Sequence, residues 1–104
     1  LMYLYHITKL CNLESIKKNG LKPYIGDNSK AYGEKQEAIY FFKDEMSAEE
    51  ALVNWFGDTL EDDEKVILLK VRQDFKTFPS IADFEVFTKN IVPFFNIKEI
   101  IFIN

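Results

Sequence analysis

The segment that most constrains the fold is residues 65–72, KVILLKVR. Its apolar residues do not alternate with polar ones but run on from Val66 through Leu69 and resume at Val71. A strand built this way is buried on much of both faces. Other short β-branched and aromatic runs lie around it: residues 3–8 (YLYHIT), 38–42 (AIYFF), 84–89 (FEVFTK) and 97–103 (IKEIIFI), with Pro93 marking the connection between the last two. Each reads as a strand. In the first, alternation puts Leu4, His6 and Thr8 on one face and Tyr3, Tyr5 and Ile7 on the other.

Two stretches carry helix punctuation. Asn12 reads as an N-cap, Leu13 and Ile16 form an apolar stripe, and Gly20 followed by Leu21 fits a C′ glycine with its hydrophobic partner, after which Pro23 blocks continuation. Ser47 and Glu50 have the spacing of a capping box, which predicts a second helix running from Ser47 through Ala51, Leu52 and Trp55 to a stop at Gly57. Between them, residues 24–37 are mostly polar and carry two glycines without a sustained period. They read as a surface loop, and loops that long in compact domains usually serve function. The acidic run Glu61, Asp62, Asp63, Glu64 reads as a solvated turn rather than a metal site.

A length of 104 residues suits one domain, 1–104, and 47% hydrophobic with 29% charged residues places the chain in the globular range. The net charge of −4 argues against a protein that tracks phosphates, and a single arginine, Arg72, rules out an arginine cluster. One cysteine, Cys11, cannot form an internal disulfide, and no apolar run is long enough to cross a bilayer. The expected location is cytoplasmic, with no membrane partner.

One histidine and one cysteine exclude a zinc site of His and Cys ligands, so no metal is expected. Cys11 and His6 are arithmetically a nucleophilic pair, but a cysteine just before a helix start is ordinarily packing. The glycines at 20, 26, 33 and 57 stand isolated, so there is neither a P-loop nor a GxGxxG turn. What remains is a spaced set, His6, Tyr40 and Glu85, each embedded in apolar sequence. Polar groups placed there are costly unless partners or a ligand satisfy them.

The stretch Leu4-Tyr5-His6-Ile7-Thr8, followed by residues 12–16 (NLESI) and Asn19-Gly20-Leu21, resembles the opening of the diphtheria-toxin and poly(ADP-ribose) polymerase class of ADP-ribosyltransferases. There a strand bearing His-x-Thr or His-x-Ser runs into a helix ending in Gly-Leu. Ala38-Ile39-Tyr40-Phe41 resembles the family's Gly-Ile-Tyr-Phe strand, and Phe84-Glu85-Val86-Phe87 resembles its catalytic-glutamate strand. The matches keep the family's order over most of the chain. The resemblance implies an α+β fold with a split, mainly antiparallel sheet of about six strands and two helices, and an NAD cleft between the sheet halves.

It also implies roles. His6 would donate to the adenosine ribose of NAD, with Thr8 as a further ribose contact. Backbone groups of Ile7 would hold the nicotinamide carboxamide, and Tyr40 would stack on the nicotinamide ring. Glu85 would accept from the 2′-hydroxyl of the nicotinamide ribose and stabilise the oxocarbenium-like cation. Lys30 and Lys35, in the loop between the His and Tyr strands, are candidates for the diphosphate. Where the polymerases carry a hydroxyl and a second aromatic, this chain has Ala48 and Ala51, and Trp55 one turn later takes the place of the aromatic.

The expected activity is that of an NAD-dependent mono-ADP-ribosyltransferase, with water as default acceptor giving NAD glycohydrolase activity. The acceptor is open between protein, nucleic acid and small molecule, and so is the oligomeric state. The Lys-, Ile-, Phe- and Asn-rich composition fits a bacterial or phage source, and a toxin-like, defence or effector role fits equally. Two other classes compete: a catalytically inactive module of the same fold that binds a nucleotide or protein, and a plain interaction domain pairing through an edge strand at residues 100–104.

Overall fold

Six strands, β1 (Tyr3–Lys9), β2 (Ile39–Phe42), β3 (Val66–Arg72), β4 (Phe78–Pro79), β5 (Glu85–Thr88) and β6 (Ile97–Ile103), form an antiparallel sheet in the order β4-β5-β2-β1-β3-β6. Two helices, α1 (Leu13–Asn19) and α2 (Glu45–Ala51), accompany it. The computed structural model describes residues 2–24, 37–56 and 65–103. The fold is the expected α+β class. Among the described residues no helix is long and apolar enough to cross a membrane.

The unbroken apolar run of β3 has its explanation in two cores, one on each face of the sheet. Ile67, Leu69 and Val71 point into a cluster with Leu13 and Ile16 of α1, Leu4, Ile39, Phe41, Val86 and Val92. Val66 and Leu68 point the other way, into a cluster with Ala48 and Ala51 of α2, Ile7 and Phe42. Each helix therefore covers one face, and β3, second from the β6 edge, is buried on both.

The sheet is divided in the middle. β1 pairs with β3 over seven rungs, from Tyr3↔Arg72 to Lys9↔Val66, and β2 pairs with β5 over four, from Ile39↔Thr88 to Phe42↔Glu85. Between β1 and β2 there is a single rung, Tyr5↔Phe42. The halves β4-β5-β2 and β1-β3-β6 thus meet along a short seam.

The first helix starts where the sequence reading puts it, after Asn12, and the second starts before Ser47. Asn12 occupies the N-cap position of α1 but its side chain does not cap; a 3-10 turn, Leu10–Asn12, already holds its backbone in the helical region, and its Nδ2 donates to Thr8 Oγ1 at 2.9 Å. The second helix is capped by Asp44, not Ser47: the Asp44 carboxylate accepts from the Ser47 N–H at 2.7 Å, and the helix begins at Glu45. An ionised carboxylate near the start of a helix is as good a cap as a serine and also meets the helix dipole favourably, so the earlier residue wins. Past Ala51 the helix widens into a π-helical turn, Leu52–Phe56. The expected stop at Gly57, the acidic run 61–64 and most of the 24–37 loop lie outside the described residues. The short strand β4 has no sequence counterpart in the reading above.

Gly20 ends α1 as expected. Its φ is 75°, its N–H donates to Ile16 O at 2.8 Å, and the next residue, Leu21, exchanges backbone hydrogen bonds with Val92 at 2.8 and 2.9 Å. A Cβ on Gly20 would collide with the carbonyl oxygen of Val92, a backbone atom fixed by that bridge. Gly20→Ala is therefore expected to destabilise the fold by about 1–3 kcal/mol, from left-handed strain plus the clash. Denaturant titration checks this, with a control such as Lys18→Ala on the exposed face of α1 staying within about 0.5 kcal/mol of the native chain.

Candidate functional site

Of the singled-out residues, His6 and Tyr40 meet at the seam between β1 and β2, while Glu85 lies one strand away on β5. The β1–β3 ladder fixes which way the backbone of β1 points. Leu10 N–H donates to Lys65 O and Gln73 N–H to Met2 O, both at 2.9 Å, so the even-numbered residues of this stretch bond toward β3. By the alternation of an antiparallel ladder, the N–H and C=O of Tyr3, Tyr5, Ile7 and Lys9 point toward β2. Tyr5 uses them in its rung with Phe42. The next rung, Ile7 opposite Tyr40, is not formed.

A side chain closes part of that gap. His6 Nδ1 lies 2.7 Å from Tyr40 O. A carbonyl only accepts, so Nδ1 carries the proton. His6 is buried, its ring 5.6 Å from that of Phe41. Burial holds the imidazole below its ordinary pKa of 6.5, against the opposing pull of the Tyr40 hydrogen bond. Near neutral pH His6 is therefore the neutral Nδ1–H tautomer, and Nε2 is the nitrogen with the lone pair.

The three polar residues do not converge on one face. Leu4 lies in the α1-side core and His6 shares its face of β1; Phe41, which touches the His6 ring, lies in the same core. Tyr40 alternates with Phe41 on β2, and Glu85 sits directly across from Phe42 of the α2-side core. Tyr40 and Glu85 are thus diagonal neighbours on the α2 face of adjacent strands, and His6, on the other face, meets only the backbone carbonyl of Tyr40.

Glu85 is half-buried, and its Oε1 accepts from Ser80 Oγ at 2.7 Å. The turn that brings Ser80 round is closed by Glu85 N–H to Ala82 O at 3.1 Å and Ser80 N–H to Glu85 O at 3.3 Å. Ser80 was not among the sequence candidates, although Pro79, Ser80 and Asp83 are turn formers placed just ahead of the glutamate. The Tyr40 ring packs 5.6 Å from Phe87, its partner on β5.

The other candidates fare differently. Thr8 is buried on the His6 face with its hydroxyl engaged by Asn12. The Ile7 side chain is core, so a role for this residue belongs to its backbone. Ala48 and Ala51 are buried against the sheet, their small side chains letting α2 lie close to it. Lys30, Lys35 and the side chain of Trp55 lie outside what the structure describes. Among the described residues no group of His, Cys, Asp and Glu is arranged to hold a metal ion. A partly open pocket of about 160 Å³ lies beside α2, lined by Ser47, Glu50, Ala51, Asn54 and Phe84.

Compared with known proteins, the chain matches no family model, no curated protein and no solved structure.

The state of His6 has a thermodynamic signature. Its folded pKa is lowered, so below the unfolded value of 6.5 the unfolded chain binds more protons than the folded one, and stability falls as pH drops through that range. Asp44 and Asp74 are also held below their ordinary 3.8, Asp44 mainly by the Ser47 N–H and Asp74 mainly by Arg72, and they add a loss of the same sign only in stronger acid. The thermal midpoint is expected to decline from pH 7 to pH 5, with the slope flattened in His6→Gln. A midpoint as steep in the variant as in the native chain assigns the acid sensitivity elsewhere.

Proposed function

We propose that the chain is an NAD-dependent mono-ADP-ribosyltransferase of the His-Tyr-Glu type that cleaves the nicotinamide glycosidic bond. The observation that carries this reading is the missing rung at Ile7 and Tyr40. A sheet that leaves one rung unmade between two otherwise well-paired halves directs a backbone donor and a backbone acceptor of the same residue at one place. A primary carboxamide carries the complementary pair, an acceptor oxygen and a donor NH₂, so Ile7 suits the nicotinamide amide. Tyr40 offers its ring on the α2 face, where nicotinamide would stack.

Glu85 shares that face, and the Ser80 hydroxyl orients its carboxylate. It would accept from the 2′-hydroxyl of the nicotinamide ribose and place negative charge beside the cation that forms as the glycosidic bond breaks. His6 acts from the other side of the seam. Because its Nδ1–H is committed to Tyr40 O, its Nε2 would accept from a ribose hydroxyl. The direction is the reverse of the donation expected from the family resemblance. The dinucleotide then straddles the seam, adenosine toward the α1 face and nicotinamide toward the α2 face. NAD is the substrate, and water is the default acceptor.

A second reading has its own observation. Ala48 is fully buried where the polymerases place a hydroxyl, which removes one nicotinamide contact and favours a module that binds without turnover. Calorimetric titration with NAD, alongside nicotinamide release, separates the two in the native chain and in Glu85→Gln. The transferase account expects both proteins to bind and the variant to release nicotinamide at least about 100-fold more slowly, the scale of losing one preplaced electrostatic group. Binding without release by either protein supports the module; no binding leaves only a shared fold.

A further inference from the structure

The sheet has two edges, and they are built differently. β4 is two residues long and one of them is Pro79, which has no N–H to offer a further strand. β6 runs for seven residues, Ile97–Ile103, without a proline, and among the described residues no strand pairs with its outer side. Its two charges, Lys98 and Glu99, stand in the first half, so no charge guards residues 100–103, where Phe102 is 61% exposed.

The ladder fixes which backbone groups face out. The Leu10–Lys65 hydrogen bond sets the odd-numbered residues of β3 bonding toward β1, so Val66, Leu68 and Lys70 bond toward β6. Their partners Ile103, Ile101 and Glu99 turn their N–H and C=O inward, and those of Ile100 and Phe102 point outward. The β3–β6 register shifts at Lys70/Val71, where it skips Lys98, so the regular part of the edge is 99–103 and Ile101 is its middle.

We propose that two copies of this chain join β6 to β6, antiparallel, about a two-fold axis through Ile101, so that one six-stranded sheet continues into the other. A two-fold axis normal to a sheet keeps every residue on its own face, so each residue can oppose only one of the same parity. About Ile101 the pairs are Ile100 with the partner's Phe102, Phe102 with the partner's Ile100, Ile101 with the partner's Ile101, and Glu99 with the partner's Ile103. Ile100 and Phe102 then exchange both hydrogen bonds in each of their pairs, and every outward backbone group of these two residues is used. On the α1 face each Phe102 ring covers a β-branched Ile100, and on the α2 face Ile101 meets its counterpart. An axis at Glu99 would set two carboxylates against each other, and one at Ile100 would carry the pairing into the irregularity at Lys98. The edge thus complements itself, which favours a second copy over a strand of another sequence. β3 and β1 separate this edge from the seam, so the inference stands apart from the transferase reading.

Sedimentation equilibrium over a concentration series tests the pairing, with Phe102→Lys as the variant. Phe102 is exposed, so its replacement leaves the fold intact, which circular dichroism checks. The native chain is expected to reach twice its own mass, and the variant to dissociate at least about tenfold more readily. The register is read by disulfide cross-linking in a Cys11→Ser background, needed because Cys11 is itself exposed. Ile101→Cys puts two thiols opposite each other at a Cα separation of about 4.5 Å, within disulfide range, whereas Ile103→Cys leaves them roughly 13 Å apart along the strands. Cross-linked dimer is expected from the first and not from the second. A chain that is monomeric at every concentration overturns the proposal and leaves the edge to a different partner. A dimer that Phe102→Lys does not weaken, or that Ile103→Cys cross-links as readily as Ile101→Cys, places the interface elsewhere and overturns it too.

Discussion

The hydrogen bond from His6 Nδ1 to the Tyr40 carbonyl is the contact on which the arrangement of the sheet depends. The β1–β2 seam has one backbone rung, and this side-chain bond is its neighbour. An imidazole reaches farther than a backbone N–H, so it holds the two strands together without drawing them close enough to complete the ladder. The bond thus satisfies the Tyr40 carbonyl while keeping the Ile7 rung open. Its own burial protects it, since the shielded imidazole stays neutral and the tautomer is set by the carbonyl it faces.

The two cores explain how the chain tolerates a seam. α1 clamps one face through Leu13 and Ile16, and Gly20 with Leu21 ties its end to Val92 ahead of β6. α2 covers the opposite face through Ala48 and Ala51, which contact a cluster drawn from both halves, Phe42 from one and Ile7, Val66 and Leu68 from the other. Apolar contacts on both sides hold the halves together where backbone hydrogen bonds do not. The sheet can then carry a short seam without losing its integrity.

Much of this was legible in the sequence because strand periodicity is a local signal. The run at 97–103 became a strand with those bounds, the run at 65–72 became one that starts a residue later at Val66, and Gly20 announced its own turn. The run at 84–89 became the strand Glu85–Thr88, one residue shorter at each end. Caps were less legible, because Asp44 and Ser47 both satisfy the local rule and only the course of the chain out of β2 decides between them. β4 was missed because two residues, one of them proline, carry no periodicity, and Ser80 was missed with it. The broken rung is a long-range feature: it depends on the register of Tyr5 against Phe42 and on a hydrogen bond spanning 34 positions, neither of which any local pattern encodes.

The central claim is that the Ile7 backbone is held open for a carboxamide. Amide hydrogen exchange, read residue by residue along β1 with and without saturating nicotinamide, addresses it most directly. The account expects the Ile7 N–H to exchange faster than those of His6 and Thr8, which bond into the β3 ladder, and to slow and shift when nicotinamide is added. An Ile7 amide as protected as its neighbours and indifferent to nicotinamide would contradict it.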